Sequence, residues 1–288
     1  MPHVVVTGGS GKLGRACVAD LVQHGWQVIV FDRLRSPELS EGVILTPVDL
    51  TDYAAVLDGM LGVEERFDHV DAVVHLAAIP APGIVGDHAT FANNMNASFN
   101  VISAARRAGV KNIVWASSET VLGLPFDAPP PYLPVDEEYA PRPESTYSLT
   151  KTLEEAMAVQ LCRWDPTLKM IGLRFSNVME PEDYELFPSY DLDASLRKWN
   201  LWGYIDARDG AQAIRRALEY ERPGAEVFII ANADTVMSRS NASLVAEVFP
   251  DVEIRGDLGE HDTLLSIEKA RRVLGYQPQH SWRARTGG

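Results

Sequence analysis

Cysteine is scarce: Cys17 and Cys162 are the only two in 288 residues. They are too few and too far apart for a disulfide framework or a thiolate metal cluster. Both read as small core residues, and no metal site is expected. Positive charge is in deficit, with 26 Lys and Arg against 40 Asp and Glu and a net charge of −14. An acidic surface repels phosphate backbones and anionic headgroups, which argues against nucleic acid and membrane surfaces as partners. No apolar run approaches the roughly 20 residues that cross a bilayer. The opening Met-Pro-His-Val-Val-Val runs straight into a strand and has none of the layout of a signal peptide. The cytoplasm is the expected compartment. Internal repeats and low-complexity tracts are lacking too.

The remainder is ordinary for a folded domain: 46% apolar and 23% charged residues. The length allows one large α/β domain, or one with a small appendage. Val4–Val6, Val28–Phe31, Ala72–Leu76, Ile113–Ala116, Met170–Leu173 and Val227–Ile230 are short, mostly β-branched runs without polar interruption, the pattern of strands buried on both faces. Amphipathic stretches lie between them, at 13–24, 90–108 and 146–163 among others. Repeated β–α–β units predict a doubly wound parallel sheet of the Rossmann type with right-handed crossovers. The alternation holds over 1–176 and fails after Asn177. We therefore expect a sheet domain over 1–176, to which part of 203–232 returns, and a small lobe over 177–288 that is not cleanly separable. Residues 125–143 carry seven prolines, which predicts a functional lid or a surface excursion.

The strand Val4–Val6 leads into Thr7-Gly8-Gly9-Ser10-Gly11-Lys12-Leu13-Gly14 and then a helix. Glycines at 8, 11 and 14 allow the tight turn and let a pyrophosphate reach the amides of the helix N-terminus, where any Cβ would intrude. Asp32 ends the second strand, eighteen residues after Gly14. A carboxylate there accepts hydrogen bonds from ribose hydroxyls and repels a 2′-phosphate, so the expected cofactor is NAD in preference to NADP. Arg33 and Arg35 follow at once and are chemically able to bind such a phosphate. Asp49 and Leu50, after the third strand, are expected to flank the adenine. Leu76, Ala77 and Ala78 sit at the switch point, where small residues let a cofactor lie flat. His75 just before them reads first as a satisfied core histidine.

Tyr147 and Lys151 stand at i and i+4 at the start of a helix and so share a face. A free phenol is a poor base at neutral pH. A nearby ammonium and a positive nicotinamide ring are expected to favour the phenolate. Ser118 closes the fifth strand and is placed to orient a substrate oxygen for Tyr147. Each of these signals is weak alone. Their order, glycine turn, acid, Ala-Ala, Ser-Ser and Tyr-x-x-x-Lys on successive elements of one sheet, is what gives them weight.

Thr7–Gly14, Asp32, His75–Ala78, Asn94, Ser117-Ser118, Tyr147–Lys151 and Leu173-Arg174-Phe175-Ser176-Asn177 resemble the extended short-chain dehydrogenase/reductases, the NAD-dependent epimerase/dehydratase group. The resemblance continues through Gly203–Asp209 and the terminal Ser266–Ala270 and Leu274–Pro278 segments. It implies an enzyme of carbohydrate metabolism with Tyr147 as acid/base and Lys151 as its partner on the nicotinamide ribose. Ser118 would be the hydrogen-bonding serine, and Asn94 would belong to a proton relay. Ser118, Glu119, Arg174 and Asn177 are the expected substrate contacts. The layout is most similar to uronate and aldose dehydrogenases, whose Glu-Pro-x-x-Tyr segment matches Glu180–Tyr184. Where those enzymes place a carboxylate-binding arginine this chain has Glu185, and Leu122 replaces the tyrosine of a Val-Tyr-Gly turn.

Only 26 residues separate Asn177 from Tyr204, little material to grip a nucleotide, and Glu180, Glu182, Asp183 and Glu185 are expected to repel a diphosphate. Arg174, Arg197 and Lys198 would offset this if they faced inward. The expected reaction is oxidation of a free sugar or similar alcohol by NAD. The alternatives are a nucleotide-sugar epimerase or dehydratase with tightly held NAD, and a cofactor-sensing regulator; the intact Ser–Tyr–Lys set argues against the last. Surplus apolar residues on the helices at about 90–108 and 147–163, among them Met157, Val159 and Leu161, predict a homodimer.

Overall fold

Alternate residues of each central strand enter two different apolar cores, which is how the period of two builds a three-layer molecule. Val4, Val6, Val30, Val74, Leu173 and their like form one core; Val5, Ile29, Val73, Ile113 and Met170 form the other. This computed structural model describes residues 1–40, 42–62 and 67–286. In chain order the elements are β1 (His3–Thr7), α1 (Lys12–Gln23), β2 (Gln27–Asp32), β3 (Ile44–Pro47), α2 (Tyr53–Met60), β4 (Ala72–His75), α3 (Asp87–Arg107), β5 (Asn112–Ser118), β6 (Tyr132–Leu133), α4 (Thr146–Trp164) and β7 (Lys169–Phe175). They continue with β8 (Val178–Met179), α5 (Phe187–Tyr190), β9 (Ile205–Asp206), α6 (Ala207–Glu219), β10 (Gly224–Ile230), α7 (Asn241–Val248), β11 (Glu253–Ile254), α8 (Glu268–Leu274) and α9 (Arg283–Thr286).

Seven strands form one sheet in the order β10-β7-β5-β4-β1-β2-β3, and all its pairings are parallel. The order reverses between β1 and β4, so their carboxyl ends open a crevice at the switch point. All six sequence-predicted strands are present, and β10 returns to the sheet beside β7. Helices α1 and α6 cover one face with Cys17, Val18, Leu21, Ala211 and Ile214. Helices α2, α3 and α4 cover the other with Val56, Met60, Ile102, Ala158 and Leu161. Both cysteines are free and buried. No helix among the described residues is long and apolar enough to cross a membrane.

Two expectations are corrected here. The proline-rich segment is pinned down and does not stand out as a lid. Phe126, Leu133 and Val135 are buried, β6 pairs with β11, and Val135 bridges to Leu265. Prolines spaced through it leave enough N–H groups for this pairing, as in the Val135 N–H bond to the Leu264 carbonyl at 2.9 Å. Leu161, counted as surplus apolar surface, is 3% exposed and belongs to the core on the α4 side, whereas Val159 on the same helix is exposed.

Candidate active site

The glycine turn closes β1 and opens α1 with backbone alone. Gly8 has φ +70°, and a Cβ there would stand 2.8 Å from the Ala77 nitrogen. A Cβ on Gly14 would stand 2.1 Å from the Gly8 carbonyl oxygen, an impossible contact. Gly11 caps α1 without a side-chain acceptor, so no capping side chain competes for the N–H groups of Lys12, Leu13 and Gly14, the arrangement that receives a phosphate. The cradle therefore fits the pyrophosphate of a dinucleotide. Asp32 lies beside it, accepting from the Ser10 N–H at 3.0 Å and the Arg33 N–H at 2.7 Å. Arg35 donates to the carbonyls of Val43 and Ser40, so of the two arginines after Asp32 it is already engaged. Asp49 holds the amide and hydroxyl of Thr51, and these bonds keep its carboxyl below the ordinary range. Leu76, Ala77 and Ala78 are half-buried across the crevice.

Lys12 and the acidic segment after Met179 depart from their expected roles. Lys12 Nζ reaches Asp183 at 2.6 Å, and Arg15 reaches Glu180 at 2.7 Å. Two of the four acids expected to repel a diphosphate are thus neutralised by α1. Glu185 is exposed, and Tyr184 is buried with its hydroxyl donating to Asp206.

The second half of the crevice is built from buried polar side chains. Ser118 ends β5 and caps the short turn Glu119–Leu122 by accepting the Thr120 N–H at 3.1 Å. Tyr147 lies in the first turn of α4, inside a reciprocal cap between Ser145 and Ser148. Tyr147, Lys151 and Ser118 are all under 8% exposed. The Lys151 ammonium lies 5.9 Å from the centre of the Tyr147 ring, and Ser118 lies beside the phenol. Burial raises the Tyr147 phenol above its ordinary value; Lys151 and Ser118 pull it down and Glu154 and Glu119 push it further up. Lys151 favours the phenolate, as the sequence led us to expect, but among the chain's own groups burial is the larger influence and the phenol stays above its ordinary value. The sequence showed the ammonium but not the burial that outweighs it.

Several partners of the predicted residues were not singled out from the sequence. Lys151 Nζ pairs with Glu154 at 2.9 Å, both nearly sealed from solvent. Burial opposes the ammonium, yet Glu154 and its neighbours hold Lys151 above its ordinary value. Glu119 is 3% exposed and accepts from Ser176 at 2.6 Å and Asn200 at 3.3 Å. Burial pushes its carboxyl up to about 7, against those two bonds and the charge of buried Arg197. A glutamate after Ser-Ser was visible in the sequence; its partners, 57 and 81 residues away, were not.

Arg174, expected on the substrate, is engaged inside the fold. Its Nε and one terminal nitrogen bind both oxygens of Glu155 at 2.9 and 2.8 Å, and Ser117 donates to the same carboxylate at 2.6 Å. Strand alternation explains this: Leu173 and Phe175 enter the core on the α1 side, so Arg174 points to α4. Asn94 spends its amide on the backbone of Ile79, at 2.8 and 3.1 Å. Asn177 is half-buried beside Glu119, to which its backbone N–H donates. His3, His69 and Asp71 come together at the amino edge of the sheet, the end away from the glycine turn.

A model of the family described as "NAD dependent epimerase/dehydratase family" matches residues 4–231. UDP-glucose 4-epimerase 2 of Oryza sativa subsp. japonica is 32% identical over 60% of this chain and 44% of its own. The chain thus spans about half the length of the first curated relatives it matches. The 2-alkyl-3-oxoalkanoate reductase of Stenotrophomonas maltophilia is 31% identical over 96% of this chain and 95% of its own. L-arabinose 1-dehydrogenase (NAD(P)(+)) of Haloferax volcanii is 27% identical over 97% of both chains. Among solved structures, a UDP-galactose 4-epimerase matches with a TM-score of 0.70 and 29% identity, covering 97% of this chain and 94% of that one. With the glycine cradle, Asp32 and the Ser118–Tyr147–Lys151 cluster on one sheet edge, these matches establish that the chain belongs to the NAD dependent epimerase/dehydratase family.

Proposed function

We propose that the chain is a dehydrogenase that oxidises a carbinol carbon of a sugar or sugar-derived substrate, with Tyr147 taking the hydroxyl proton. The observation that carries the reading is the convergence of Ser118, Tyr147 and Lys151 at the carboxyl end of β5, facing the switch point. NAD, when bound, supplies the hydride acceptor. Ser118 holds the substrate oxygen against the phenol, and Lys151 offers two further N–H donors for ribose hydroxyls once one is given to Glu154. Asp32, with Arg35 engaged elsewhere, favours NAD over NADP. Residues 177–204, with Glu119 and Asn177, form the substrate side, and 1–176 the cofactor side. Relatives matched along their whole length include a net reductase and a net dehydrogenase, which supports turnover with release of the reduced cofactor.

A second reading, an epimerase that keeps NADH until the hydride returns, is favoured by the UDP-galactose 4-epimerase match over 94% of that chain. That match weighs against reading the short segment between Asn177 and Tyr204 as too little material for a nucleotide sugar. One experiment separates the readings: net NADH formation with a panel of free aldoses, uronates and nucleotide sugars, alongside UDP calorimetry. Steady NADH from at least one free sugar and no saturable UDP binding supports the dehydrogenase. Tight UDP binding with no net NADH from any free sugar overturns it.

The exposed Phe91 and Phe99 on α3, with Leu149, Val159 and Trp164 on α4, support pairing of two copies through these helices. A monomer mass by light scattering would sink this part of the proposal.

A further inference from the structure

A buried chain of hydrogen bonds runs in one direction from the cofactor crevice to Glu154, which also accepts from Lys151. The N–H groups of Leu76 and Ala77 both donate to Thr7 Oγ1 at 3.2 Å. The Thr7 hydroxyl therefore gives its own proton to His75 Nδ1, 2.7 Å away. That leaves Nε2 as the protonated ring nitrogen, donating to Ser98 Oγ at 3.0 Å. Ser98 in turn donates to Glu154 Oε1 at 2.7 Å. The other oxygen of Glu154 takes the Lys151 ammonium at 2.9 Å. Thr7, His75, Ser98, Lys151 and Glu154 are each no more than 2% exposed. Each side-chain donor has one acceptor, and the series ends on a carboxylate.

Two physical points make this more than a satisfied core. A buried Glu–Lys pair costs about as much in desolvation as its attraction returns, so stability alone is a weak reason to build one. The neighbouring acid on the same helix, Glu155, is already neutralised by Arg174 and Ser117, which leaves Glu154 as the counter-ion that balances Lys151. The charged and titratable groups acting on Tyr147 are Lys151 and Glu154 from its own helix and Glu119 from the turn after β5. Those around Lys151 are Glu154, Glu155 and Tyr147, with His75 facing it from β4.

We propose that Glu154 is a positioning residue for proton transfer at Tyr147: it holds and partly offsets the Lys151 ammonium, and the Thr7–His75–Ser98 chain fixes its carboxylate. The proposal rests on Tyr147 being the proton acceptor. His75 serves as a neutral spacer of fixed tautomer, because burial and the Lys151 charge push its imidazole down to about 3. The link is anchored on Leu76 and Ala77, and Gly8 packs against Ala77, so the glycine cradle and the base are tied to one another.

The first measurement uses cofactor-free protein. The phenol absorbance of Tyr147 is titrated as the difference between wild type and Tyr147→Phe, and again in a Glu154→Gln background. Removing a negative charge beside the phenolate stabilises it, so ionisation should move about one pH unit lower in the Gln variant. The acid limb of the kcat/KM profile should move the same way. An unmoved or upward-shifted titration overturns the proposal. Should Glu154→Gln fail to fold, Ser98→Ala leaves the Glu154–Lys151 pair in place and still tests the chain. Nitrogen-15 spectra of labelled histidine should show wild-type His75 protonated at Nε2 only and taking up no proton between about pH 5 and 8. Ser98→Ala should admit the other tautomer. A wild-type His75 that titrates in that range, or carries its proton on Nδ1, overturns the chain. An active Tyr147→Phe removes the proton-acceptor reading itself; an inactive one with an unmoved Glu154→Gln profile removes only the role of Glu154.

Discussion

The two halves of the crevice are made of different material. On the β1–β2 side the site is backbone: glycines where a Cβ would collide, N–H groups at a helix start, and one carboxylate. On the β5–α4 side it is side chain: Ser118, Tyr147, Lys151, Glu154, Glu155, Arg174 and Glu119, most of them charged and nearly all sealed from water. A backbone site is specified locally, because steric exclusion acts between residues a few positions apart. A site of buried charges is specified globally, because each charge needs a partner that the fold delivers from elsewhere. An added Cβ at Gly8 or Gly14 collides in the first, and an unpaired charge is costly in the second.

Tyr147→Phe tests that contrast most severely. The ring still packs, but no proton moves, so kcat should fall by roughly two to four orders of magnitude. Calorimetry should find cofactor binding on the backbone side little changed. A variant with most of its activity would shift the chemistry to another residue, Glu119 first.

Glu155→Gln should show first as a loss of stability. It leaves the Arg174 guanidinium buried with half its pairing gone, and breaking such a pair typically costs about 3–5 kcal/mol. Urea denaturation would measure it. A loss below about 1 kcal/mol, the worth of an exposed pair, would mean water reaches the site.

Gly14→Ala probes the backbone side. One methyl 2.1 Å from the Gly8 oxygen must displace the turn, at about 1–3 kcal/mol of overpacking. NAD affinity should fall at least about tenfold, equivalent to 1.4 kcal/mol. Unchanged affinity would show that the cradle adjusts and that its shape is not what binds.

The last test concerns pH. Glu119 has a carboxyl raised by burial from 4.5 to about 7. Its protonated form is favoured in the fold, so its contribution to stability is full below about pH 4.5 and is lost as pH rises through about 7. Wild type should lose melting temperature across that window relative to Glu119→Gln. Parallel curves for the two proteins would place Glu119 in contact with solvent.

The residues that end strands and open helices were legible because their chemistry is local. Asp32 follows a run of apolar strand residues, and Tyr147 and Lys151 share a helix face by spacing alone. Arg174 was misplaced for a reason that alternation explains only once the sheet is seen: the sequence marks it as inside, but not on which face its partner waits. The proline-rich segment was misread in the same way, since its pairing with β11 joins residues more than a hundred positions apart.

By itself the sequence determined the doubly wound sheet, the glycine cradle and the identity of the Ser–Tyr–Lys group, because periodicity and steric exclusion act along the chain. Tertiary structure alone decided that Glu154 answers Lys151 and Glu155 answers Arg174, though the two acids are adjacent on one helix. A helix turns about 100° per residue, so neighbours face different elements, and only the packed sheet says which charge lies opposite each.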